Sequence, residues 1–308
     1  METMDARLRD ELKAAAGEVL FDEPLAAYTS MGVGGKADAL AFPVDEEALG
    51  RTVALCRERG IAWFPAGNWT NLIIADAGWR GVVVALRSLR RIRLVRDAGS
   101  GARIEAGAGA LLAEAVALAA REALTGLEFG AGIPGSVGGA VRMNAGAFGR
   151  EMKDVVESVR LLDDGGSFRE MASRDLAFAY RNLDLSPGSV ITGARFHLEE
   201  GDEAAVRGRI AEIMALRRQK HPLEYRSAGS VFKNPRGIPA GRLIEEAGLK
   251  GTRVGDAQVS EKHGNFIVNL GKARAGDVLA LIELVRERVR EKTGVTLETE
   301  VRIVGGAS

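Results

Sequence analysis

The residues best suited to chemistry in this 308-residue chain are glycines. Between Gly130 and Gly149 they stand at positions 130, 132, 135, 138, 139, 146 and 149. Lacking Cβ atoms, they let backbone N–H groups come close to a diphosphate or a flat ring. Interleaved Ile133, Val137, Val141 and Met143 give the run a partly buried character. Gly130-Ala131-Gly132-Ile133-Pro134-Gly135 matches the letter of the G-x-G-x-x-G nicotinamide fingerprint. That fingerprint needs a preceding parallel strand and a helix that opens at the pyrophosphate. Pro134 inside the turn, and Gly138-Gly139 where the helix would begin, predict a long loop with no regular element instead. Two similar turns are Pro65-Ala66-Gly67-Asn68-Trp69-Thr70-Asn71-Leu72 and Thr29-Ser30-Met31-Gly32-Val33-Gly34-Gly35. Three such loops in one half of the chain suggest one large anionic cofactor held at several points.

Other candidates are open on residue type alone. Arg181 offers a planar pair of donors matched to two carboxylate oxygens, yet Tyr-Arg at a strand end also reads as surface. Ser230 sits in a glycine-flanked turn, where a capping or loop role is the ordinary one. Glu300 alternates with Leu297, Thr299 and Val301, so it shares a face with Glu298 and Arg302 in the pattern of a solvated strand. Lys250 suits a helix C-terminus. His263 has no companion at metal-ligand spacing, so no metal site is expected, and His197 and His221 read as structural. The single cysteine, Cys56, shares the apolar side of a helix with Leu49 and Val53 and reads as a buried thiol.

The elements that position these residues follow from periodicity. Asp45 caps a helix carrying Leu49, Val53 and Cys56, and Leu111 to Ala123 is a second helix. Strands are expected at Ala62–Pro65, Val82–Leu86, Ile92–Val95, Arg103–Ala106, Val155–Leu162 and Val190–His197, with a turn at Asp163-Asp164-Gly165-Gly166. From Asp202 the chain turns helical, with Val206, Ile210, Ile213 and Met214 on one face and Val278, Leu281, Ile282, Val285 and Val289 on a later one. Short strands around Val231-Phe232 and Phe266–Val268 precede an alternating strand at Leu297–Val304. A domain boundary is placed near Glu200 to Asp202.

Lys plus Arg and Asp plus Glu number 42 each, so no net field draws the molecule to nucleic acid or an anionic membrane. The stretch Met1 to Glu18 is weakly amphipathic with no apolar core of signal-peptide length, and the most apolar helix is broken by Glu114 and Arg121. A cytoplasmic protein is expected.

At Gly132-Ile133-Pro134-Gly135-Ser136-Val137-Gly138-Gly139-Ala140, then Met143-Asn144-Ala145-Gly146-Ala147, the chain resembles the UDP-N-acetylenolpyruvoylglucosamine reductases, the flavoproteins called MurB. The likeness extends to Ser227–Pro235, to Leu249-Lys250-Gly251, to Ser260–Phe266 and to Leu297-Glu298-Thr299-Glu300-Val301, in matching order. It covers almost the whole chain. The resemblance implies an α+β protein: a two-part FAD-binding region of the p-cresol methylhydroxylase (PCMH) type over residues 1–200, an α+β substrate-binding domain over 201–296, and a final strand, 297–308, returning to the active site. The short segment between Arg181 and Arg217 resembles the shorter subtype, which lacks an inserted loop bearing a tyrosine.

The activity so implied is NADPH-dependent, FAD-mediated reduction of UDP-N-acetylglucosamine enolpyruvate to UDP-N-acetylmuramate, a step in peptidoglycan precursor synthesis. Hydride passes from NADPH to a non-covalent FAD and on to the substrate's methylene carbon. By the same resemblance, Gly67, Asn68, Thr70, Asn71, Gly132, Ile133, Pro134, Gly135, Ser136, Gly138, Gly139, Asn144, Ala145 and Gly146 hold FAD. Asn234, Lys250 and His263 bind the UDP-sugar. Ser230 donates the proton, Arg181 meets the carboxylate and Glu300 stabilises the enediolate. In that role Glu300 must be protonated or hydrogen-bonded, which predicts a raised pKa. No nucleic-acid or membrane partner is expected, and the protein is expected to be a monomer.

The chain departs from the family pattern at Trp69, where glycine is usual, at Asn182, where serine is common, and at Arg142 and Arg226. A tryptophan at a position of positive φ is strained; its ring either stacks on the flavin or shields it. Competing readings are another flavin oxidoreductase on the same fold and a non-catalytic flavin or nucleotide-sugar binder. The Ser230 segment and Glu300 argue against the first, and retention of Ser230, Arg181 and Glu300 against the second.

Overall fold

Local signals build most elements where they are expected. Asp45 Oδ1 accepts the Ala48 N–H at 2.8 Å and opens the helix Glu46–Glu58, which buries Leu49, Val53 and Cys56. The helix Leu112–Arg121 buries Leu112, Ala115, Val116, Ala119 and Ala120. A computed structural model describes residues 4–96, 101–235 and 237–305. Residues 1–3 of the expected amino-terminal segment and 306–308 of the expected final strand lie outside these.

The chain divides into two units, neither continuous in sequence. The first comprises residues 1–21, 38–68 and 81–215; the second comprises 22–37, 69–80 and 216–308. The second unit therefore begins its long run at Leu216, later than the expected boundary near Glu200 to Asp202. It also draws in two earlier segments.

In the first unit an antiparallel sheet orders the strands Phe168–Ala172, Val156–Leu162, Val190–Glu200, Ala102–Gly107 and Ile92–Arg96, with Leu124–Thr125 also paired to Val190–Glu200. A second sheet orders Gly17–Pro24, Lys36–Pro43, Trp79–Ala85 and Trp63–Ala66, the last two parallel. Side chains of this unit, including Leu49, Cys56, Val84, Ile104, Val137, Val141, Phe196 and Ile213, form one hydrophobic core. Burial pushes the Cys56 thiol up to about 12, as expected for an inert core cysteine.

The second unit holds an antiparallel sheet in the order Arg226–Ser230, Phe266–Asn269, Ala257–Val259, Arg253–Val254. Val278, Leu281, Ile282, Val285 and Val289 of the helix Ala275–Thr293 are all buried and join its core. Fully burying such side chains contributes about 1.5–3 kcal/mol each. Among residues 297–304 only Arg302–Val304 is a strand, parallel to Leu72–Ile74. Before it Thr299 makes only an isolated bridge to Phe232, and the expected alternation breaks at Ile303, which is exposed beside buried Val304.

Candidate active site

In the first unit the glycine run is shorter as a loop than expected. Ser136 Oγ accepts from the Gly139 N–H at 3.3 Å and starts a six-residue helix, Val137–Arg142. Val137, Ala140 and Val141 are buried, and that burial outweighs the poor helix propensity of Gly138-Gly139. The strand before the run, Leu124–Thr125, pairs antiparallel with Val190–Glu200, so the arrangement is still not a dinucleotide-binding βαβ unit.

Not every glycine faces a ligand. The Gly138 N–H donates to the Ala108 carbonyl at 2.9 Å, and a Cβ on Gly138 would lie 2.7 Å from that of Ala108, so chain packing alone explains this glycine. The Val137 N–H is likewise taken by Ala110 at 2.8 Å. By contrast, among the described residues the N–H groups of Gly67, Asn68, Gly132, Gly135 and Ser136 meet no protein acceptor. Two of them stand close together: a Cβ on Gly67 would sit 2.1 Å from Ser136 Oγ, so the turn after Trp63–Ala66 is pressed onto the start of the short helix. Gly132 and Gly135 adopt φ of +71° and +139°, conformations an L side chain rarely takes. Five open donors on two touching loops form a cradle suited to a diphosphate. The donor set therefore fits FAD.

Asn144 is fully buried and its side chain is taken by protein. Nδ2 donates to Glu151 Oε2 at 2.8 Å and to the Ala179 carbonyl at 3.0 Å, and Oδ1 accepts from the Lys153 N–H at 3.0 Å. Ala145 takes the Met152 N–H on its carbonyl, and Gly146 pairs with Glu151. Arg181 occupies a two-residue turn between Ala177–Ala179 and Asn182–Asp184 at φ +56°, and its Nη1 donates to the Gly146 carbonyl at 3.0 Å.

The second unit carries the other candidates. Ser230 and Glu300 are neighbours through Val231, whose carbonyl accepts the Glu300 N–H at 2.8 Å. Register shifts between Ser227 and Ser230 against Phe266–Asn269, with Gly229 at φ +76°, so a bulge precedes Ser230, which rejoins the ladder opposite Phe266. Its half-buried hydroxyl has no hydrogen-bond partner among the described residues. Asn71 Nδ2 donates to the Glu300 carbonyl at 3.1 Å and the Asn71 carbonyl accepts from Arg302, so Asn71 fastens the segment bearing Glu300. The carbonyl of Thr70 accepts from Ser30 Oγ at 3.3 Å.

Trp69 does take a positive φ, +56°, and is 7% exposed. Its ring lies 5.5 Å from that of Tyr28, tilted by 39°. Packing holds the strained backbone, at a cost of about 1–3 kcal/mol for such a conformation.

Asn234, Lys250 and His263 gather around the helix Ala240–Glu246. Asn234 Oδ1 accepts from the Ala240 N–H at 2.9 Å, Lys250 pairs with Glu245 at 2.9 Å, and a Cβ on Gly241 would lie 3.1 Å from His263 Cε1. His263 Nδ1 accepts from the Asn265 N–H at 3.1 Å, which leaves Nε2 to carry the proton of the neutral ring. Burial first, then the charge on Lys250, lowers its pKa. Arg217, 9% exposed, is a buried cation that periodicity alone passes over.

His221 lies 5.5 Å from His263, ring to ring, and is pushed down to about 4 from 6.5, by burial first and then by Arg217, His263, Lys262 and Lys220. A histidine held neutral binds fewer protons folded than unfolded, so its effect on stability is absent above 6.5 and destabilising as pH falls from 6.5 toward 4. The melting temperature is expected to fall across that window, and to fall less steeply in His221→Gln; equal slopes for the two proteins would refute it.

A cleft of about 640 Å³ on the first unit contains none of these residues. Its charges pair with one another along Arg93, Glu105, Arg195 and Glu170, at 2.6, 3.0 and 3.4 Å.

Comparison with known proteins decides the family. The FAD binding domain model matches residues 37–172, and the model of the UDP-N-acetylenolpyruvoylglucosamine reductase C-terminal domain matches 221–304. The reductase of Syntrophus aciditrophicus is 55% identical over 98% of this chain and 97% of its own length. The chain belongs to the UDP-N-acetylenolpyruvoylglucosamine reductase family. Another member, from Enterococcus faecalis, is 46% identical over 93% of this chain and 94% of its own. The crystal structure of the Thermus caldophilus reductase (MurB) superposes with a TM-score of 0.78 at 40% identity, covering 94% of this chain and 98% of that one. A variant of Phl p 4, a glucose oxidase, shares the fold at 14% identity and a TM-score of 0.50, over 64% of this chain and 44% of that one. The expected α+β fold with a PCMH-type FAD-binding region is thus the fold of this reductase family, and no described helix is long and apolar enough to cross a membrane.

Proposed function

We propose that this chain reduces UDP-N-acetylglucosamine enolpyruvate to UDP-N-acetylmuramate, with NADPH as reductant and non-covalent FAD as mediator, as the name of its relatives suggests. The observation that carries the reading is the set of five backbone donors without a protein acceptor, at Gly67, Asn68, Gly132, Gly135 and Ser136, within the segment matched as an FAD binding domain. Those groups would hold the diphosphate of FAD. Bound there, FAD would supply the hydride relay between NADPH and the methylene carbon of the enol ether.

The chain's own residues supply the rest. Hydride addition drives charge onto the substrate's carboxylate, and Arg181 meets its two oxygens with a planar fork of donors. Glu300 helps to hold the enediolate. Ser230 gives its hydroxyl proton to the carbon beside the carboxylate, completing the lactyl ether. Lys250 balances the diphosphate of the UDP-sugar, while His263 Nε2–H and Asn234 give it further hydrogen bonds. Thr70, Asn71, Ile133, Pro134, Gly139, Asn144, Ala145 and Gly146 support the cofactor, Asn71 and Asn144 through the backbone segments they fasten. The protein acts as a cytoplasmic monomer, without a nucleic-acid or membrane partner.

The test is spectroscopic. The purified protein is expected to carry a flavin spectrum, to bleach with NADPH without oxygen, and to regain its colour when the enolpyruvyl sugar nucleotide is added. A colourless protein that cannot be loaded with FAD would defeat the reading. Recovery of colour only with oxygen would defeat the substrate assignment.

A further inference from the structure

Arg181 stands where an arginine is hard to hold. It is the second residue of a two-residue turn that joins Ala179 to Asn182, and its φ of +56° is one that glycine or asparagine adopts far more readily. Left to itself, such a turn relaxes and carries the guanidinium with it. Three hydrogen bonds from one short segment, residues 142–146, oppose this. Before the turn, Asn144 Nδ2 holds the Ala179 carbonyl at 3.0 Å. After it, Arg142 Nη1 holds Asn182 Oδ1 at 3.1 Å. At its head, Arg181 Nη1 donates to the Gly146 carbonyl at 3.0 Å.

Asn144 is itself immobilised. It is 0% exposed, takes φ of +41°, and is fixed by Glu151 Oε2 at 2.8 Å and by the Lys153 N–H at 3.0 Å. One buried amide thus ties the end of the glycine run to the strand that presents Arg181. Arg142 and Asn182 meet in a single hydrogen bond, so they act as one unit.

We propose that residues 142–146 are a clamp that holds the strained Arg181 turn, with Asn144 the principal positioning residue and the Arg142–Asn182 pair the secondary one, and that this clamp orients the guanidinium for the substrate carboxylate. The proposal rests on the role given to Arg181 above. The Asn144 side chain, spent on Glu151, Ala179 and Lys153, acts through Arg181.

The experiment measures the two half-reactions separately in the FAD-loaded enzyme, and hydrogen exchange across residues 177–184. Asn144→Ala is expected to slow flavin reoxidation by the enolpyruvyl substrate about tenfold more than it slows bleaching by NADPH, because only the substrate's carboxylate uses Arg181. Exchange in the hairpin should rise. In an Arg181→Ala background the same change should add less than about twofold, the non-additivity expected of a residue that acts through another. Asn182 is exposed, so Asn182→Ala keeps the test alive if Asn144→Ala fails to fold. It should slow reoxidation about threefold and add nothing further to Arg142→Ala. Equal losses in both half-reactions, or full multiplication with Arg181→Ala, would overturn the clamp. So would unchanged reoxidation in both Asn144→Ala and Asn182→Ala while Arg181→Ala is slow. If Arg181→Ala is itself fast, the carboxylate role fails, and the clamp with it.

Discussion

Ser230→Ala is expected to leave the flavin reducible by NADPH yet to cut its reoxidation by the enolpyruvyl substrate by about 10³–10⁴-fold, the upper range for loss of a positioned proton donor. The bulge at Gly229 sets Ser230 opposite Phe266, and among the described residues its hydroxyl has no hydrogen-bond partner. An alanine there keeps the backbone path, since its buried neighbours Ala228, Val231 and Phe232 are untouched. What is removed is the proton. Serine is a weak acid, so its conjugate alkoxide needs stabilising neighbours. Anaerobic stopped-flow absorbance separates the two half-reactions. Reoxidation within about tenfold of the parent would remove Ser230 from the chemistry.

Glu300→Gln is the second large effect, about 10²–10³-fold on reoxidation with little change in reduction by NADPH, as for loss of one group that stabilises developing charge. The segment bearing Glu300 is held at both faces of its backbone: its N–H binds the Val231 carbonyl at 2.8 Å and its carbonyl accepts from Asn71 at 3.1 Å. Glutamine preserves both contacts and the side-chain volume, so a change in rate reports the carboxyl group rather than its placement. Glutamine also keeps a hydrogen-bond donor, which makes the expected loss smaller than for Ser230. Equal losses in the two half-reactions would mean a disturbed flavin site and would sink the role. Asn71→Ala offers a check from a distance, slowing the same half-reaction by loosening Glu300.

Much of the fold was legible because its signals are local. The helices Glu46–Glu58, Leu112–Arg121 and Ala275–Thr293 announce themselves by apolar residues three and four apart, and the strands Val156–Leu162 and Val190–Glu200 by β-branched runs. The helix Val137–Arg142 was not legible, since its glycines argue against any helix and only the cap at Ser136 and the burial of Val137, Ala140 and Val141 sustain it. The end of the chain misled as well: Leu297, Thr299 and Val301 read as one face of a strand, yet Thr299 makes only an isolated bridge to Phe232 and the alternation breaks where Ile303 is exposed and Val304 buried.

The sequence by itself determined the family, the likeness of the fold and the residue types available for each task, because these rest on identities and their order along the chain. Tertiary structure alone decided how the residues are spent. It assigned Gly138 to close packing on Ala108, left Gly67 and Gly135 their open donors, put the Asn71 amide on Glu300 and gave Asn144 to Ala179. It also gathered residues 22–37, 69–80 and 216–308 into one unit, an association no single cut in the chain can express. The physical reason is common to all of these. A hydrogen bond or a close approach between segments 35 or 229 positions apart leaves no periodicity behind, only a residue small or polar enough to make it.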